Sequence, residues 1–215
     1  MLSWFDGHLD LAYLAEIGRD LHAPPETCLG RLQPAAITFP SLDEGRVRAV
    51  LATIFTEAVD ASDPRALDVG PFAYAPDDVE GANRAGMRQL KLYAAWRDAG
   101  ILRLLGKRGS PVPPLDEGPL VAGILMESAD PIRDPDDLNW WVDQGVVAVG
   151  LAWWRGTRYA AGNGLEPGAP GDGLTSLGRD LVRRLDELGV VHDVSHLSER
   201  ATLDLFEMTS ATPIA

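Results

Sequence analysis

Ser176 to His196, SLGRDLVRRLDELGVVHDVSH, holds one complete helix-to-strand step and ends on an imidazole. Leu177, Leu181, Val182, Leu185 and Leu188 recur at helical spacing. Ser176 stands where a cap accepts backbone N–H groups, and Gly189 supplies the left-handed stop. Val190 to Ser195 then reads as a short apolar strand that delivers His196 at its end. A helix feeding a buried strand within two residues is the repeating unit of parallel β/α architecture.

The same step recurs in both directions along the chain. Upstream, strands are expected over Leu2 to His8, Arg46 to Thr56 (ending in Thr56-Glu57), Leu120 to Met126 and Val146 to Trp153. Between them, Asp78 to Ala99 carries Met87, Leu90 and Ala94 at helical spacing. Asp134-Pro135-Asp136-Asp137 has the acidic cap and early proline of a helix start, and Gly145 ends that helix. Leu165 to Gly173 is rich in Gly and Pro and reads as a loop. Downstream, Ser198 caps a helix reaching about Met208, and Thr212-Pro213-Ile214-Ala215 opens a sixth strand. Five or six strands joined by helices fit a doubly wound sheet or part of a (β/α)8 barrel. No G-x-G-x-x-G follows the first strand, and Gly106-Lys107 lacks the spacing and the hydroxyl of a phosphate loop.

Composition narrows the function classes. The 215 residues are 46% hydrophobic, enough for one sizeable core and one domain spanning 1–215. Nineteen basic against 32 acidic side chains leave a formal charge of −13, which repels nucleic acid and anionic lipid. No apolar run approaches the roughly 20 residues of a membrane span, and the start lacks a basic region followed by an apolar one. The single cysteine, Cys28, forms neither an internal disulfide nor a Cys-x-x-Cys site. A cytoplasmic protein acting on small molecules or cations is therefore expected.

Chemistry collects at the strand ends. His8 and Asp10 lie two residues apart in a strand, so both side chains share a face and can reach one metal ion. Glu127 ends the third strand and His196 follows the fifth, the face on which barrel enzymes place their active sites. Nitrogen and oxygen donors without thiolates suit zinc or another divalent first-row ion. Read singly, each has a plainer explanation as a strand-end or turn residue; four on one face favour a metal. His192 shares strand parity with His196 but reads as a wall residue, and His22 as an exposed loop residue.

These residues carry a resemblance. Asp6-Gly7-His8-Leu9-Asp10-Leu11, Gly123-Ile124-Leu125-Met126-Glu127, Gly145-Val146 leading to Gly150-Leu151, and Asp193-Val194-Ser195-His196-Leu197-Ser198 resemble, in order, the motifs of the membrane dipeptidase (renal dipeptidase) family, the M19 metallopeptidases. The segment from Gly173-Leu174-Thr175 to Ser198 is the most specific part. The resemblance implies a (β/α)8 TIM barrel of the metallo-dependent hydrolase type, incomplete here at about strands 1–6. It also implies two zinc ions and hydrolysis of a dipeptide by a metal-bound hydroxide. Carried over, His8 and Asp10 bind one zinc, Glu127 bridges both as the catalytic carboxylate, and His196 binds the second. A carboxylate bridge holds two cations about 3.5–4 Å apart and makes their shared water acidic. Asp6 and Asp193 are expected to support the ligands as acceptors for their N–H groups, or to act as local caps.

The chain departs from the family in two places. Trp153, in Leu151-Ala152-Trp153-Trp154-Arg155, stands near the family's substrate-binding histidine. Rim packing is the plainer reading of the tryptophans, whereas Arg155 offers a bidentate clamp for a peptide carboxylate. The family also continues past a segment like Thr212-Pro213-Ile214-Ala215 to a second zinc-binding histidine, a substrate arginine and an acid/base aspartate, so the resemblance covers about three fifths of a member. An unclosed barrel leaves open edges, and the 215 residues are expected to be unstable as a closed monomer, favouring a homo-oligomer or a completing chain. Two other readings stand beside the dipeptidase: an amidohydrolase-like barrel acting on another amide or a lactone, and a truncated, inactive metal-binding chain.

Overall fold

The computed structural model describes residues 3–31, 33–60, 73–115 and 117–215. Five parallel strands form the main sheet in chain order: β1 (Trp4–Leu9), β2 (Val47–Ile54), β6 (Leu120–Met126), β7 (Val146–Gly150) and β8 (Val191–Asp193). The sheet curls into a half-barrel, an α/β architecture that matches part of a TIM barrel. All C-terminal strand ends therefore open on one rim. The short strand β5 (Leu102–Leu104) pairs with the first half of β6, opposite β2, and β7 takes over the second half of that edge from Ile124 onward. Gly123 marks the handover: a Cβ there would lie 2.9 Å from Val147 and 3.1 Å from Leu51 and Leu105. Two further short strands, β3 (Glu57–Ala58) and β4 (Ala73–Tyr74), pair with each other above the rim.

Sequence periodicity explains which face is covered. Val50, Ala52 and Ile54 of β2 alternate with Leu51 and Thr53, and Ala122, Ile124 and Met126 alternate with Gly123 and Leu125. The first set of each strand joins the main core, which also holds Leu90, Tyr93 and Trp96 of α3 (Val79–Asp98), Trp141 of α4 (Leu138–Asp143), Leu181, Val182 and Leu185 of α5 (Ser176–Leu188), and Leu205 of α6 (Glu199–Met208). Two short helices complete the layer, α1 (Leu11–Glu16) directly after β1 and α2 (Phe39–Glu44) before β2. β6 is buried along nearly its whole length, as a central parallel strand must be. At the edge, Trp4 and Phe5 of β1 are exposed.

The first five expected strands form, most of them shorter than their apolar runs. Leu2 lies outside the described residues. The Ser198 cap forms as expected, accepting from Ala201 N, Asp78 caps α3 by accepting from Gly81 N, and Gly189 ends α5 in the left-handed region at φ 66°. Three boundaries differ. Thr175 rather than Ser176 caps α5, its hydroxyl accepting from Gly178 N. The Asp134 carboxylate accepts from the N–H groups of Asp136 and Asp137 and so closes a turn, which delays α4 to Leu138. The sixth strand is a single parallel bridge, Ile214 donating to the carbonyl of His192 and accepting from Val194 N. Helices α1 and α2 and strands β3 to β5 are too short to leave a periodic signal. Among the described residues no helix is long and apolar enough to cross a membrane.

Candidate metal centre

Strand ends bring four side chains together on the rim. His8 lies near the end of β1, and its Nε2 is 3.5 Å from Asp10 Oδ1 and 3.5 Å from Glu127 Oε2. The other Glu127 oxygen, Oε1, is 3.1 Å from His196 Nε2. The buried carboxylate thus turns one oxygen to each histidine. His8, Asp10 and Glu127 each offer a ligand atom within 4.8 Å of the others, close enough to share one cation. Of this set Glu127 is nearly enclosed at 6% side-chain exposure, while His8, Asp10 and His196 keep 40%, 40% and 30% and face the rim opening.

The electrostatics fit a cation. The His8 imidazole is pushed up to about 10, first by its contact with Asp10 and then by Glu127, against the opposing effect of burial. For Asp10, burial alone acts upward, but His8 and the Thr53 hydroxyl outweigh it and hold the carboxyl below its ordinary value. In effect the pocket binds a proton where carboxylates and an imidazole would bind a metal ion, and a divalent cation would satisfy the same field.

Supporting groups come from β2 and from helix α3, whose sequence reads as packing. Thr53 donates to Asp10 Oδ1 at 2.5 Å, and the Thr53 carbonyl in turn accepts from Tyr93 at 2.6 Å. The Tyr93 hydroxyl also accepts from Ala12 N, so one buried phenol ties the start of α1 to β2 on either side of Asp10. Gln89, fully buried on the same helix, accepts from Phe55 N, donates to the Phe55 carbonyl, and donates to Glu16. This fixes the chain where it leaves β2. A buried Gln and Tyr four residues apart on a helix were the available signal.

The remaining expected site residues are placed less directly. Asp6 accepts from the backbone N–H of His8, not from its ring, and Asp193 accepts from the backbone and hydroxyl of Ser195. Both act as local turns, because a carboxylate two residues before an N–H closes an Asx turn more readily than it reaches a ring. His192 is buried and paired with Asp186 at 2.7 Å, a wall residue as expected. The Trp153 ring packs edge-on against Phe55 at 5.2 Å and lies 6.3 Å from the His196 ring. Arg155 is exposed and lines two cavities beside Trp153.

A parallel half-barrel with a His/Asp/Glu cluster on its C-terminal rim defines the class of metal-dependent barrel proteins. Residues 2–215 match the family model "Membrane dipeptidase (Peptidase family M19)", and the chain belongs to that family. Among solved structures, the probable dipeptidase PvdM from Pseudomonas aeruginosa superposes with a TM-score of 0.73 at 20% identity, covering 100% of this chain and 52% of that one. A metallo peptidase from Rhodobacter sphaeroides, liganded with a phosphinate mimic of L-Ala-D-Ala, superposes at 0.72 with 21% identity, covering 100% and 64%. A protein encoded in the PQQ-III 3' region of Acinetobacter calcoaceticus is 35% identical over 98 residues, 42% of this chain and 31% of that protein. The chain thus spans about half to two thirds of the length of these two solved neighbours.

Proposed function

We propose that this chain supplies the metal-binding rim of a zinc-dependent dipeptidase, as part of a single barrel domain to which residues 1–215 contribute. The observation that carries the reading is the division of Glu127, one carboxylate oxygen facing His8 and the other His196. One oxygen turned toward each histidine is the arrangement that a carboxylate shared between two cations requires. Family membership and the dipeptidase descriptions of the solved neighbours support the substrate class.

His8, Asp10 and Glu127 would hold one ion, Glu127 and His196 a second. When bound, zinc supplies a Lewis acid for the scissile carbonyl and activates water near neutral pH. The chain's own residues do the rest. Thr53 orients the Asp10 carboxylate through Oδ1, and Tyr93 fixes the Thr53 backbone from behind. Trp153 walls the site beside His196 and narrows access for water. Arg155, free of hydrogen bonds and ion pairs among the described residues, would clamp a substrate carboxylate. A single cysteine and an acidic surface accord with a reducing cytoplasm.

Metal content and turnover of dipeptides by the chain, with His8→Ala and Glu127→Gln alongside, test the reading. Stoichiometric zinc, and turnover lost in both variants, is the expected result. Zinc that binds equally well to Glu127→Gln would overturn the bridging role. Turnover of N-acyl amino acids or lactones in place of dipeptides would favour the amidohydrolase-like reading suggested by Trp153.

A further inference from the structure

Beside the metal centre, a cavity of about 470 Å³ lies between Tyr74 of β4, the turn after β6 and the loop after β7. A smaller one of about 210 Å³ shares Asp130 and Arg155 with it and has Trp153 in its wall. Because the Trp153 ring also lies 6.3 Å from that of His196, the smaller cavity approaches the rim where a scissile bond would sit. Asp130 is the group they have in common that is not otherwise explained. Its Oδ2 accepts from both Tyr74 and Ser128, at 2.8 and 3.0 Å, so the carboxylate is aimed and held. Its Oδ1 receives no hydrogen bond from the described residues. Burial pushes this carboxyl above the ordinary range in spite of the two donors.

An aimed carboxylate with one oxygen open to a cavity offers that oxygen to a cationic group of a ligand. Neither nearby arginine donates to it: Arg158 acts on Asp130 through its charge alone while donating to the carbonyls of Ile132 and Arg133 and to Tyr159, and Arg155 forms no ion pair among the described residues. Glu57 and Asp60 also line the smaller cavity. Resting on the dipeptidase reading above, we propose that this cavity is the subsite for a dipeptide side chain that ends in an ammonium or guanidinium group, with Asp130 Oδ1 as its anchor. The aromatic faces of Tyr74 and Trp153 would line the path of the apolar stem.

The test compares lysine with norleucine, which has the same four-carbon stem without the ammonium, at either position of an alanine dipeptide, in wild type, Asp130→Asn and Arg155→Met. kcat/KM for the lysine peptide is expected to exceed that for norleucine by at least tenfold at one position. Asp130→Asn should bring the ratio near one, and Arg155→Met, which removes the carboxylate clamp and so lowers kcat/KM for both peptides, should raise the ratio severalfold. A second readout does not need turnover: calorimetric binding of lysinamide against norleucinamide, with the same expected order in the same variants. Equal kcat/KM for the two peptides, or a ratio that survives Asp130→Asn, overturns the subsite, as does preference for glutamate. If no dipeptide is turned over yet lysinamide is preferred through Asp130, the subsite stands and the hydrolytic reading falls.

Discussion

Metal uptake should be strongly coupled to proton release from His8. The imidazole is raised to about 10 by Asp10 and Glu127, so at pH 7 only about one molecule in a thousand presents a neutral ring nitrogen. An ordinary histidine, near 6.5, would be mostly neutral there. The ion held by His8 must therefore displace about one proton from it, and its apparent affinity should rise about tenfold per pH unit from pH 7 to 9. Titration calorimetry in buffers of different ionisation enthalpy reads the released proton directly. His8→Ala removes this contribution, and the difference isolates it from ionisation of bound water. The metal-free chain should move oppositely. Stability from protonated His8 is complete below about pH 6.5 and is lost as pH rises through about 10, so the metal-free urea midpoint should fall over that interval. Zinc uptake at pH 7 with no proton attributable to His8, or an affinity flat from pH 7 to 9, would refute the picture of a carboxylate-charged site.

Three further perturbations probe the scaffold. Thr53→Val removes the 2.5 Å donor to Asp10, and zinc affinity measured against a chelator should drop about 10–100-fold, the usual effect of losing such a support. Tyr93→Phe leaves the Thr53 carbonyl and Ala12 N–H unpaired in the core, which should cost about 1–3 kcal/mol in urea unfolding, and an unchanged midpoint would show that water replaces the phenol. Gly150→Ala would place a Cβ 2.5 Å from the Glu127 carbonyl oxygen, a backbone atom that can retreat only by shifting the end of β6; a loss of about 1–3 kcal/mol together with weaker zinc binding is expected, and normal binding would detach Gly150 from the site.

The sheet was legible because its strands obey a strong rule. A central parallel strand is apolar on both faces, so Leu120 to Met126 and Val146 to Gly150 stand out from the polar sequence around them. Edge and rim pieces obey no such rule. Strand β5 is three residues long, β3 and β4 two each, and α1 is a six-residue helix whose start at Asp10 is simply the end of β1. Asp134 closes a turn in place of the expected helix start for a related reason. An aspartate that caps a turn and one that caps a helix accept from the same kind of backbone N–H, and only the downstream residues decide between them.

The site divides along the same line. Its candidate ligands were legible because the chemistry of a shared cation restricts residue type and strand geometry restricts spacing, so His8 and Asp10 announce themselves locally. Nothing local announces Thr53, Tyr93 or Gln89, which act on the site across 43, 40 and 34 residues of sequence. Threonine in a strand and tyrosine on the buried face of a helix are ordinary packing choices, and only the fold turns their hydroxyls toward Asp10 and the end of β2. Asp130 is the intermediate case: it lies three residues after Glu127, yet a carboxylate in a turn is commonplace until Tyr74, 56 residues away, is seen to hold one oxygen and leave the other facing the cavity. Ligand identity is therefore a property of sequence motifs in this fold, while ligand orientation and substrate choice belong to long-range contacts. The pairs Thr53 with Asp10 and Tyr74 with Asp130 are where relatives sharing the same metal ligands can diverge in what they bind.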